Sequence, residues 1–176
     1  MRMQQNHIRK IFLLVFIFGL FSINSAYGHK LISHDDTHRD FDSALRIPDH
    51  KISWAIYENL GTNEAKFYSF TANQGDSFYA SIVVPKIDGL ERYSPTMVLI
   101  PPNEIQDQNS ISKSQGTPEK ILYEGNFPGK EFYEPFGQVT YWERQEIKKE
   151  LVVDGEYFIV VLDEKNQKGK YSLAIG

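Results

Sequence analysis

Four histidines, His29, His34, His38 and His50, crowd into one short stretch, and no histidine follows them. A cut after Gly28 would make His29 the first residue. Its α-amine and ring nitrogen could then chelate one metal ion, with a second histidine completing a brace that suits copper, zinc being the other candidate. His34 and His38 stand at i and i+4, so they share a face if the stretch is helical, and Asp35 or Asp36 could add an oxygen ligand or orient a ring. The plainer alternative is a solvated polar arm whose histidines bind nothing. No other cofactor is expected.

A second set of candidates is aromatic. Phe127, Phe132, Tyr133, Phe136, Tyr141 and Trp142 lie close together, and Tyr133, Phe136, Tyr141 and Trp142 are the candidates to contact a protein or a sugar, because Tyr and Trp join a large apolar face to a polar tip. The competing role is packing within a sandwich. Tyr141 and Trp142 are neighbours and point to opposite faces of a strand, so at most one is core.

Catalytic readings fare worse. Gly75-Asp76-Ser77 superficially matches the Gly-Asp-Ser block of a family of serine esterases, but such a serine needs a base, and no histidine follows His50. A hairpin turn is the better reading. Glu131, Glu134, Glu143, Glu146, Asp163 and Glu164 could supply a glycosidase pair only if two faced each other across a cleft. A solvated acidic surface accounts for them, and no catalytic residue is assigned.

These residues are delivered by a chain with the marks of export. Arg2, Arg9 and Lys10 precede an apolar run at 11–21, and Ala26-Tyr27-Gly28 supplies small residues for cleavage, so residues 1–28 read as a signal peptide. An uncleaved anchor, tethering the protein to a membrane, is the rival, but the run is short of the about 20 residues that a span requires. The expected location is therefore secreted or extracytoplasmic, with no membrane span after cleavage. The remaining chain holds sixteen basic and twenty-three acidic residues, a net charge of −7, which argues against nucleic acid as a partner. With no cysteine there is neither a disulfide nor a lipobox.

Residues 29–50 read as a polar arm, with a short helix conceivable at 40–46, and residues 51–176 as a β-sandwich domain. Short apolar or alternating runs at 51–57, 65–71, 77–84, 96–100, 120–123, 139–143, 145–153, 156–162 and 170–175 fit strands and are too short for helices. Asp154-Gly155 is expected to close a tight hairpin. The fold class that follows is all-β, a two-sheet antiparallel sandwich of eight or nine strands with jelly-roll-like topology. A polar loop at 101–118 and a loop rich in Gly, Pro and aromatics at 125–138 interrupt it, and such loops commonly carry binding.

The segments AKFYSFTANQGDSFYASIVV at 65–84, SPTMVLIP at 94–101 and DGEYFIVVLDEKNQKGKYSLAI at 154–175 resemble the pre-peptidase C-terminal (PPC) domain family. That resemblance implies an extracytoplasmic β-sandwich, usually non-catalytic and appended to exported enzymes, and brings no catalytic residues with it. Here no enzyme domain accompanies the sandwich, and the aromatic stretch at 125–145 has no counterpart in the pattern. The expected function is an exported, non-catalytic binding or accessory module for a partner protein or glycan. The alternative is an exported copper- or zinc-binding protein that uses His29 with His34 or His38.

Overall fold

The computed structural model describes residues 28–102, 118–135 and 137–176; the leader at 1–27, most of the loop at 101–118 and Phe136 fall outside the described residues. Eleven strands form two mixed sheets packed face to face: β1 (Lys30–Leu31), β2 (Leu45–Arg46), β3 (Trp54–Leu60), β4 (Ala65–Ala72), β5 (Ser77–Pro85), β6 (Thr96–Ile100), β7 (Glu119–Ile121), β8 (Glu131–Glu134), β9 (Val139–Glu150), β10 (Gly155–Leu162) and β11 (Gly169–Ile175). The six-stranded sheet runs β1-β3-β11-β5-β9-β8 and the five-stranded sheet β2-β4-β10-β6-β7. Nine strands come from residues 51–176, and the polar arm adds the short β1 and β2. Those two pair in parallel with β3 and β4, so the sheets are mixed where purely antiparallel ones were expected. Among the described residues no helix is long and apolar enough to cross a membrane.

Strand alternation builds the core. On β5, Phe78, Ala80, Ile82 and Val84 are buried, as their period of two predicts. They meet Tyr68, Phe70 and Ala72 of β4, Tyr157, Ile159 and Val161 of β10, and Ile56 and Leu60 of β3. Phe70 stacks on Phe78 across the sheets with ring centroids 4.8 Å apart. Burying such large side chains contributes roughly 1.5–3 kcal/mol each, which is how a cysteine-free chain holds two sheets together.

Several local expectations change. Asp154-Gly155 joins β9 to β10, which lie in different sheets, and so is a sheet-crossing corner, not a hairpin. The turns at 73–76 and 165–169 cross between sheets in the same way. Residues 40–46 form a turn leading into β2 instead of a helix: the Asp40 carboxylate accepts from the Ser43 backbone N–H and hydroxyl at 2.8 and 2.6 Å, an arrangement that competes with helical bonding. Residues 131–134, expected in a loop, pair with β9 as β8.

The runs at 139–143 and 145–153 are one strand, β9, interrupted by a bulge. Between the pairs Ser81↔Glu146 and Val83↔Glu143, Ile82 stands opposite two residues, Arg144 and Gln145. A bulge aims neighbouring side chains in directions that regular alternation forbids. Both residues are buried as a result. Arg144 Nε donates to the Tyr93 carbonyl at 2.8 Å, its Nη2 to the Glu91 carbonyl at 3.1 Å, and its Nη1 to the Pro128 carbonyl. Its guanidinium also lies 5.2 Å from the Phe127 ring centre and 5.3 Å from that of Tyr123. One cation thereby holds the loop before β6 and the loop before β8 against β9.

Candidate functional site

Two places on the sandwich bring chemistry-bearing residues together. The first is a polar cluster at one end of the core, where the arm lies against β3 and β4. On β3 the inward series Ile56, Glu58, Leu60 puts a carboxylate between two core residues, and on β4 the series Lys66, Tyr68, Phe70, Ala72 puts an ammonium at the head of a core row. Lys66 is fully buried. Charges at such positions are costly unless partnered, and the arm carries the partners. Lys66 Nζ binds the Asp36 carboxylate and stands 4.0 Å from Glu58 Oε2.

The other oxygen of Glu58 is more crowded. His38 Nε2 lies 2.6 Å from Oε1, His34 Nε2 3.2 Å from it, and the Tyr68 hydroxyl 3.3 Å from it. Tyr68 and Tyr171 share a 2.7 Å hydroxyl–hydroxyl bond, and burial pushes the pKa of both phenols well above its ordinary value. The Lys66 hydrogen bond holds the Asp36 carboxyl below the usual carboxylate range. His34 Nε2 also lies 3.0 Å from the Tyr57 carbonyl, and the Asp36 N–H donates to His34 Nδ1 at 3.2 Å.

The arm's histidines therefore separate into distinct roles. His34 and His38 do meet, with ring centroids 4.8 Å apart, but through an irregular turn and not the face of a helix. Asp36, at φ 66°, reverses the chain between them. Asp35 is exposed and accepts from Thr37, whose hydroxyl is the main cause of its lowered pKa. His29 is far from this cluster in the contacts it makes: its Nδ1 shares a 2.6 Å bond with Ser53 Oγ, an exposed contact at the entry to β3. His50 lies 3.6 Å from an Asp76 carboxylate oxygen. Among the described residues, His34, His38 and Glu58 alone make a group of three or more His, Asp or Glu side chains able to share a metal ion.

Sequence reasoning missed Glu58 and Lys66. The signal was present, because each occupies a core-facing place in an otherwise apolar alternation.

The second place is a groove of about 520 Å³ on the outer face of the six-stranded sheet. Its floor is low because Ala55, Ser81, Ser172 and Ala174, from three adjacent strands, are all small: Ala174 pairs with Ala55 on one side and Ser81 on the other. Tyr57, Tyr79 and Phe132 rise around it, and Glu134, Glu143 and Glu146 line it with Lys130, Arg144 and His29. Lys130 Nζ lies 3.2 Å from Glu143, and the Tyr79 hydroxyl donates to Glu146 at 3.3 Å.

Of the aromatic candidates, Trp142 faces the core at 4% exposure and Tyr141 faces outward, opposite Phe132 in the ladder, yet is also covered, at 7%. Burial and the neighbouring Tyr57 hydroxyl push the Tyr141 phenol up to about 12. Neither lines the groove. Tyr133 is 58% exposed, but alternation turns it away from the face that Phe132 and Glu134 present to the groove. Phe136 lies outside the described residues.

No protein-family model matches the chain, and no curated protein matches it. Solved structures do. The chain is similar to the pre-peptidase C-terminal domain of a collagenase from Bacillus anthracis, at 16% identity and a TM-score of 0.44, over 76% of this chain and 94% of that one. It is similar to PliG from Aeromonas hydrophila, a periplasmic inhibitor of g-type lysozyme, at 12% identity and a TM-score of 0.46, over 85% of this chain and 98% of that one. PliG from Salmonella Typhimurium matches at 17% identity and a TM-score of 0.41, over 75% of this chain and 95% of that one. The first of these is a domain of the family that the strand pattern resembles. These likenesses concern the sandwich and not its ligand.

Proposed function

We propose that this chain is an exported, non-catalytic binding module that seats a basic segment of a partner protein in the groove on the outer face of the six-stranded sheet. The observation that supports this reading is the pairing of a small-residue floor with an aromatic and acidic rim. The groove's volume falls within the roughly 300–1,000 Å³ common for ligand sites. Tyr57 and Phe132 keep 47% and 40% of their surface exposed beside it. Such rings favour the alkyl stem of a Lys or Arg, and Glu134, Glu143 and Glu146 favour its charge. A chain of net charge −7 after the leader adds long-range attraction for a basic partner. A glycan would also use the aromatic faces, but brings no positive charge to the acidic rim.

The test is titration of the isotope-labelled protein with a lysine-rich heptapeptide, a glutamate-rich heptapeptide and a chitin-type oligosaccharide, followed by amide chemical shifts. The basic peptide should move resonances of β3, β5, β8, β9 and β11, and the double variant Glu143→Gln, Glu146→Gln should lose at least tenfold in affinity. An equal response to the acidic peptide, or a response to the sugar alone, would overturn the reading.

A further inference from the structure

We infer that His34, His38 and Glu58 form a binding site for a zinc-class divalent ion, which clamps the arm to β3. The inference is independent of the groove and of any partner that binds there. Both ring nitrogens converge on a single carboxylate oxygen, at 3.2 and 2.6 Å. Ligand atoms around a tetrahedral zinc, each at about 2.0–2.1 Å from the ion, stand roughly 3.3 Å apart. The three ligand atoms lie within 4.8 Å of one another, so side-chain adjustments of about 1 Å bring them to that spacing.

The donor set of two imidazoles and one carboxylate is a recurrent zinc set that leaves a fourth position open, and the Tyr57 carbonyl, 3.0 Å from His34 Nε2, borders it. His38 and Glu58 are buried while His34 keeps partial contact with solvent, so the ion has an entry side. Charge points the same way. Asp35, Asp36, Glu58 and Glu64 surround the arm turn, whereas its cations are Lys66, bound to Asp36, and Arg39, bound to Asp36 and Glu64. Four carboxylates against two cations leave two negative charges, which is what a divalent ion neutralises.

Coordination through His34 Nε2 requires the ring proton to sit on Nδ1, which now accepts the Asp36 N–H. That bond is long, and its release is a matter of turning one peptide in the Asp35–Asp36 turn. The site thus couples ion binding to the conformation of the arm.

The experiment is a zinc titration of the full chain after EDTA treatment, read by calorimetry, by the thermal midpoint and by the histidine ring resonances. One equivalent of zinc should bind. At free zinc a hundredfold above Kd the midpoint should rise by about 5–10 °C. The rings of His34 and His38 should shift while those of His29 and His50 do not. His34→Ala, whose side chain is the least buried of the three, should abolish the heat and the midpoint shift, and His29→Ala should retain both. No heat from the parent chain, loss of binding in His29→Ala, or shifts at His29 without shifts at His34 and His38 would each overturn the proposal. His34, His38 and Glu58 do not line the groove, so failure here leaves the peptide-binding reading standing, and failure there leaves this one.

Discussion

Glu58 Oε1 and His38 Nε2 stand 2.6 Å apart inside the sandwich, one from the inward-facing row of β3 and the other from the arm that precedes the domain. Ile32, Leu45 and Ile47 bring apolar side chains of the arm to the core, and this contact, with the Asp36–Lys66 pair beside it, fixes the turn between them. Removing one member of a buried charged pair costs about 3–5 kcal/mol, since the others are left unpaired in a low-dielectric setting. Glu58→Ala should therefore lower metal-free stability by about that amount in urea denaturation. Asp35→Ala, at an exposed carboxylate that accepts from Thr37, should leave the urea midpoint essentially unchanged. Equal effects would mean that the cluster does not anchor the arm.

Arg144 should behave as a structural cation. Its fork reaches the carbonyls of Tyr93, Glu91 and Pro128, three acceptors that no single ammonium could serve together. Arg144→Met should cost at least about 2 kcal/mol and speed proteolysis within 125–138. Arg144→Lys should recover little of either, whereas full rescue by lysine would show that charge alone matters.

Acid sensitivity should centre on Asp163. Burial by itself would raise its pKa, but backbone N–H groups of Asn63, Gln167 and Lys165, each at 3.0 Å, outweigh that and hold it below its ordinary value of 3.8. A group with a depressed folded pKa contributes stability that is complete above its unfolded value and is lost as pH falls through the folded one. The loss therefore falls below about pH 3.8, as the turn between β10 and β11 loses its acceptor. Asp163→Asn should be less stable than the parent at neutral pH and show a shallower decline on acidification. A parallel decline would place the acid-sensitive group elsewhere.

The two predicted aromatic candidates of opposite burial should separate cleanly. Trp142→Ala removes a core ring and should cost about 3–5 kcal/mol. Tyr133→Ala removes an exposed one and should leave the thermal midpoint within about 2 °C. Basic-peptide affinity should fall in Phe132→Ala and hold in Tyr133→Ala, because only Phe132 lines the groove.

The sandwich itself was legible in the sequence because strand alternation is a local property. Phe78, Ala80, Ile82 and Val84 announce their buried face within eight residues, and Thr96–Ile100 is bounded by prolines on either side. Nine short strand-like runs in succession point to an all-β domain, and the absence of cysteine excludes a disulfide-dependent one. What local pattern could not convey is which sheet a strand joins. Asp154-Gly155 and the turn at 73–76 have the composition of hairpins, yet each carries the chain across the core, because turn chemistry specifies a reversal and not the partner that follows.

The sites divide along the same line. The sequence by itself determined the all-β class, the concentration of histidine ahead of the domain, and the acidic, cysteine-free surface, since composition and period need no third dimension. Only the tertiary structure decided that His34 and His38 meet at Glu58 while His29 does not, that Trp142 and Tyr141 are covered, and that small residues from three strands hollow out a groove. Each of these depends on contacts between residues twenty or more apart in the chain, and such contacts are set by packing across sheets, not by spacing along one strand.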